Sequence, residues 1–145
     1  MRRPTLLSLA LIPLTACYVD VDPGPDGPGG GGGPYNAAPY ITYADAGCWW
    51  DGASRDYVWS FEADANDPDG VYDVVDVYAD VYDGRGNLVE SFDLWPDDYD
   101  PKFWYSDWYE SSTWLYCGDN YVVDITAVDS FGDWDLVSVY PYADL

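Results

Sequence analysis

From Pro39 onward the sequence predicts an all-β fold, an antiparallel β-sandwich, on three observations. No stretch there carries a convincing 3.6-residue hydrophobic period, while period-two alternation recurs. The alternating runs are short and separated by Gly, Asn and Asp clusters at the spacing of a sandwich. With 48% hydrophobic residues in a chain of 145, there is enough apolar material for one core and length for one ordinary domain.

Taken in order, Ile41 and Tyr43 suggest a short first strand. In Arg55 to Asp64, Tyr57, Trp59, Phe61 and Ala63 share one face while Asp56, Ser60, Glu62 and Asp64 share the other, a strand with one wet side. Val71 to Asp83 repeats the pattern, with Val75, Val77, Ala79 and Val81 expected inward and Asp76, Tyr78, Asp80 and Tyr82 outward. The run Asp83-Gly84-Arg85-Gly86-Asn87 supplies a tight reversal, and Leu88 to Leu94 returns. The aromatic stretch Trp95 to Tyr116 reads as one long connection plus one or two strands. Tyr121, Val123, Ile125 and Ala127 line a later strand, Asp129 to Asp133 turns, and Leu136 to Tyr142 closes the sheet.

These residues also carry a family resemblance. Trp59-Ser60-Phe61-Glu62-Ala63-Asp64-Ala65-Asn66-Asp67-Pro68-Asp69-Gly70 and the Val-rich strand after it resemble the second and third strands of bacterial Ig-like and PKD-type domains, which often place a DPDG turn between them. Asn120 to Gly132, with its D-x-x-G turn, is similar to their penultimate strand. The resemblance covers Pro39 to about Tyr142, is patchy through the aromatic middle, and implies an Ig-like sandwich; it says little about function.

The N-terminus reads as an address. Arg2 and Arg3 precede an apolar run, Leu6 to Leu14, broken only by Ser8 and Pro13 and too short to span a bilayer as a permanent helix. Leu14-Thr15-Ala16-Cys17 resembles the lipobox of bacterial lipoproteins, which implies signal-peptide cleavage after residue 16 and acylation of Cys17; the alternative is an ordinary signal peptide with a Cys near its cleavage site. The expected partner is then the membrane, reached through acyl chains at about 0.8 kcal/mol per buried methylene. Tyr18, where Asp often marks inner-membrane retention in that family, leans the expectation to the outer membrane of a Gram-negative cell envelope. Residues 17–38 form a tether: Pro23 to Pro34 holds only Pro, Gly and one Asp, and the 17 residues from Tyr18 to Pro34 span roughly 20 to 25 Å as a coil. The domain proper is expected over residues 39–145.

Charge and composition exclude several functions. There are 27 acidic against 5 basic residues, a formal net charge of -22, so a nucleic-acid phosphate backbone would be repelled. No His is present, which removes the commonest general base and imidazole-based metal sites. Paired Asp carboxylates can run glycoside hydrolysis, but no pair stands out from the scattered acids, and the chain is read as a non-enzyme. With Cys17 assigned to lipid, Cys48 and Cys117 are expected to pair, as exported cysteines do. The proposed sandwich agrees, since each Cys precedes a strand, at Arg55 and Asn120, entering from the same pole; free reactive thiols are the alternative.

Two candidate sites remain. Asp64, Asn66, Asp67 and Asp69 cluster oxygen ligands on a tight loop, as a calcium ion requires, and Asp129 or Asp133 lies at the same pole of a sandwich. No metal is required by this reading, and Asp, Asn, Pro and Gly are also ordinary turn residues. The second site is the aromatic segment, nine aromatics in 22 residues, in which Trp95, Trp104, Trp108 and Trp114 are candidates to stack on sugar rings beside Asp97, Asp98, Asp100 and Asp107. Against this, a small sandwich short of Leu and Ile needs aromatics for its core. The expected role is a non-catalytic, structural or adhesive interaction module for a protein or glycan ligand, with calcium assistance as an option; the alternative is a carbohydrate-binding module.

Overall fold

The computed structural model describes residues 36–144; the expected signal peptide, Cys17 and nearly all of the tether lie outside the described residues. The strands are β1 (Tyr40–Asp51), β2 (Asp56–Asn66), β3 (Val74–Asp83), β4 (Leu88–Asp93), β5 (Trp95–Pro96), β6 (Phe103–Tyr109), β7 (Tyr121–Asp129), β8 (Trp134–Val139) and β9 (Tyr142–Asp144). They form two sheets, β5-β6-β2-β1-β9 and β4-β3-β7-β8, antiparallel throughout except for the β1–β9 pair. The two-sheet sandwich expected from the alternation is therefore the fold. Its strand order follows the immunoglobulin constant-type layout, with β1, β2, β6 and β5 on one side, β3, β7 and β8 on the other, and β4 added beside β3. The Tyr121 hydroxyl at the start of β7 accepts the Tyr116 N–H at 3.2 Å, the tyrosine-corner contact of that fold. Burial, ahead of the nearby acids and against the pull of that N–H, raises the Tyr121 hydroxyl above its ordinary value.

The core matches large against small. Strand β2 contributes Trp59 and Phe61, and Phe61 stacks on Phe92 of β4 at 4.8 Å between ring centroids. Opposite them, β3 and β7 offer Val77, Ala79, Val81, Val123, Ile125 and Ala127, all fully buried. Interdigitating rings with short aliphatics fills the space at crystal-like density without a Leu-rich core.

Three of the expected strands need correction. The first strand is not a short piece around Ile41 and Tyr43 but twelve residues long, so Cys48, which precedes the next strand as expected, lies inside β1. Gly47 hid this length, because an isolated Gly weakens a strand pattern. Here the Tyr142 ring of β9 lies over Gly47 and occupies the place of a side chain. Gly47→Val is expected to undock β9, seen as faster amide hydrogen exchange at residues 142–144 and a loss of about 1–3 kcal/mol; unchanged exchange there would refute this packing role.

Val75 is not inward: it is 56% exposed, because a β-bulge between Val74 and Asp76 places Val74 in the core in its stead. Residues 71–73 form a 3-10 turn rather than the start of that strand. The last strand is two: β8 pairs with β7, whereas β9, beyond Pro141, pairs with β1 in the other sheet. Proline lacks an N–H for the ladder, which suits the crossing point between sheets.

The two ends of the sandwich differ. At one, Cys48 and Cys117 are bridged, with Cα atoms 5.9 Å apart, tying β1 of one sheet to the segment that leads into β7 of the other. The Cys117 N–H donates to the Glu110 carboxylate at 2.7 Å and the Trp114 N–H to Glu90 at 2.7 Å, which satisfies the backbone of this long connection. The β3–β4 reversal at the same end is built as expected: the Asp83 carboxylate accepts the N–H groups of Arg85 and Asn87, and those contacts hold it below its ordinary pKa, led by the Asn87 side chain. At the other end, the β2–β3 and β7–β8 loops meet the segment leading into β1.

Candidate functional site

The second end is an acidic pole. Asp129 anchors the β7–β8 turn: its Oδ1 accepts the N–H groups of Phe131 at 2.9 Å and Asp133 at 2.8 Å, and Gly132 takes the positive φ that the reversal needs. The Asn36 amide donates to Asp129 Oδ2 at 2.7 Å and to Asp133 Oδ2 at 3.0 Å, while the Ala37 N–H donates to Asp69 Oδ2 at 2.8 Å. The pole thus holds the chain at Asn36 and Ala37.

In the β2–β3 loop, Asp67 Oδ1 accepts the Asp69 N–H at 2.7 Å, and the Asp73 carboxylate accepts the Ser130 hydroxyl. One carboxylate oxygen from each of Asp67, Asp69 and Asp73 lies within 4.8 Å of the others. Burial lifts the Asp67 carboxyl above its ordinary value; the Asp69 N–H opposes this, and the charges of Asp73, Asp69 and Asp129 add to the rise.

Of the calcium candidates, then, the fold gathers Asp67 and Asp69, adds Asp73, and leaves the others in different roles. Asp129 serves the turn and Asn36. Asp64 and Asn66 lie on the outer face of β2, and the Asn66 amide donates to the Tyr40 hydroxyl at 2.6 Å. Asp73 escaped the sequence reading because it was placed on a strand; the Ser130 contact that turns it toward the pole joins residues 57 positions apart.

The aromatic residues divide by strand alternation. Trp104 is 6% exposed and belongs to the core, so it presents no ring to a ligand; β6 turns it inward beside Ala63. Trp108 shares the strand parity of Trp104 and packs on Phe92 at 5.6 Å, yet it is 38% exposed. Trp114 is 76% exposed on the connection before β7, and Trp95 is 63% exposed on β5.

The outward residues of the five-stranded sheet form a surface that the segment-based reading missed. Register sets them in rows: Trp95, Tyr105, Glu62 and Asp45 across β5, β6, β2 and β1, then Asp107, Ser60 and Gly47 under Tyr142, then Tyr109, Val58 and Trp49. Phe103 and Tyr105 stack at 5.9 Å. Tyr43 is held between carboxylates, its hydroxyl donating to Glu62 at 3.3 Å and Asp45 at 3.4 Å; burial first, then these charges, push it up to about 12. At one end of the face, Trp49, Asp51, Val58, Asp107, Trp108 and Tyr109 line a hollow of about 300 Å³. Half of this surface comes from β1 and β2, outside the aromatic-rich segment, and only the pairing register brings it together.

No family model, curated protein or solved structure matches this chain.

Proposed function

We propose that the chain is a lipid-anchored cell-envelope protein whose sandwich is a non-catalytic interaction module, structural or adhesive in role, working through the outer face of its five-stranded sheet. The observation that carries this reading is that face: Tyr43, Trp95, Tyr105, Tyr109 and Tyr142 remain exposed on one sheet, interleaved with Asp45, Glu62 and Asp107. Large rings gathered on one exposed surface mark an interaction site more often than chance exposure does. The anchor rests on Leu14-Thr15-Ala16-Cys17 and the Gly/Pro tether. Replacing Cys17 with Ala is expected to free the protein from membranes with its fold intact. Recovery of that variant in the membrane fraction after a high-salt wash would overturn the anchor.

A second reading, in which the ligand is a glycan, is favoured by the exposed rings of this face standing beside Asp45, Glu62 and Asp107. Ring faces stack on sugar C–H groups, and carboxylates accept hydroxyl hydrogen bonds. The acidic field disfavours anionic polymers, which leaves neutral or cationic glycans. Tyr105→Ala with Tyr109→Ala is expected to weaken oligosaccharide binding about tenfold or more, while Trp114→Ala leaves it unchanged. Absence of binding to neutral and amino-sugar oligosaccharides, read by Trp fluorescence and calorimetry, would rule out the glycan and keep a protein ligand.

A further inference from the structure

We propose that Asp67, Asp69 and Asp73 bind one calcium ion that locks the chain at Asn36 and Ala37 to the acidic pole of the sandwich. The proposal does not depend on the ligand of the aromatic face.

Clustered acids alone would not support a site. What singles this group out is Asp67, which is only 4% exposed and whose Oδ2 is buried without a hydrogen-bond donor. Asp73 repeats the pattern: one oxygen accepts the Ser130 hydroxyl, and its Oδ2 is buried with no donor. A buried carboxylate oxygen without a partner is costly, and two of them beside a third acid are more so, because the like charges add to the desolvation. The described part of the chain offers no relief from within: its Lys and Arg side chains are Arg55, Arg85 and Lys102, and none donates to Asp67, Asp69 or Asp73. A hard cation satisfies the orphaned oxygens directly and cancels the repulsion.

The geometry favours calcium over magnesium. Three carboxylate oxygens within 4.8 Å of one another sit beside an open concavity lined by Asn36, Asp69, Gly70, Tyr72, Asp73 and Phe131. Calcium takes six to eight oxygens in adaptable geometry and can fill its shell there with water. Magnesium demands a near-ideal octahedron and gives up its waters reluctantly. Few protein ligands and a solvent-open side place the affinity among extracellular modules, about 10⁻⁴ to 10⁻³ M.

The consequence lies in what Asp69 also holds. Its Oδ2 accepts the Ala37 N–H, and Asn36 spans Asp129 and Asp133 next to it. A cation that fixes Asp69 therefore stiffens the junction between the domain and the segment leading into it, where the charge density of the pole would otherwise loosen the clasp.

The test uses the full chain in mild detergent, with calcium chloride as the only added ligand after chelation. Calorimetry is expected to show one site per chain and a higher thermal midpoint with calcium, and hydrogen exchange at the Ala37 amide is expected to slow. Asp67→Asn and Asp73→Asn are each expected to weaken binding about tenfold or more with an unchanged far-ultraviolet spectrum. Asp124→Asn, in mid-strand on β7 and away from the pole, should bind like the parent. Should Asp67→Asn fail to fold, the exposed Asp69→Asn serves in its place. No calcium heat at about 10 mM, above the range of such modules, would overturn the proposal. So would full affinity in the Asp67 and Asp73 variants, or equal binding of magnesium. Calcium binding without slower exchange at Ala37 would overturn the clasp.

Discussion

Replacing Cys48 and Cys117 together by Ala is expected to lower the unfolding free energy by about 4 kcal/mol, the chain-entropy value for a loop of this size. The bridge closes a separation of 69 residues, so the unfolded chain without it gains a large set of conformations. Cys48 is also fully buried against the core, and losing its sulfur leaves a small void that adds to the cost. Since small domains hold about 5 to 15 kcal/mol in total, the double variant should sit near the edge of folding at physiological temperature. Guanidinium unfolding followed by circular dichroism measures the difference, and the parent under reducing conditions should show the same shift. A double variant within about 1 kcal/mol of the parent would mean that the bridge only decorates an already closed sandwich.

Trp59→Ala should cost about 3–5 kcal/mol, and Trp59→Phe well under half of that. Trp59 is 1% exposed, stacks near Phe61 at 6.3 Å, and meets the edge of Tyr121 at 5.8 Å, so truncation to Ala opens the middle of the core. Its indole N–H, however, is buried without an acceptor. Phe keeps most of the ring contact and removes the unsatisfied donor, which offsets part of the lost volume. Equal losses in the two variants, measured by the same unfolding experiment, would show that packing alone governs this position.

Alternation was legible wherever a strand has one wet and one dry side. Trp59, Phe61 and Ala63, then Val77, Ala79 and Val81, and Tyr121, Val123, Ile125 and Ala127 lie inward as the period-two pattern implies. What could not be read locally was decided by distant partners. The bulge that turns Val75 out depends on where β7 pairs, and the length of β1 comes from its end-to-end pairing with β2. The sites follow the same rule. Asp67 and Asp69 sit in a recognisable turn, but Asp73 joins them only because Ser130 meets it across the pole. Trp104 looked like its exposed neighbours in a run of aromatics, and strand parity alone sends it into the core.

The four-stranded sheet presents a different outer face. There Asp80 of β3 and Asp124 of β7 are cross-strand partners, and each carboxylate accepts one serine hydroxyl, from Ser91 and Ser138 respectively. Opposed like charges in mid-sheet cost stability, yet they also make that side a poor seat for a second copy of itself. Crowded identical molecules are thereby discouraged from stacking back to back through the middle of that sheet.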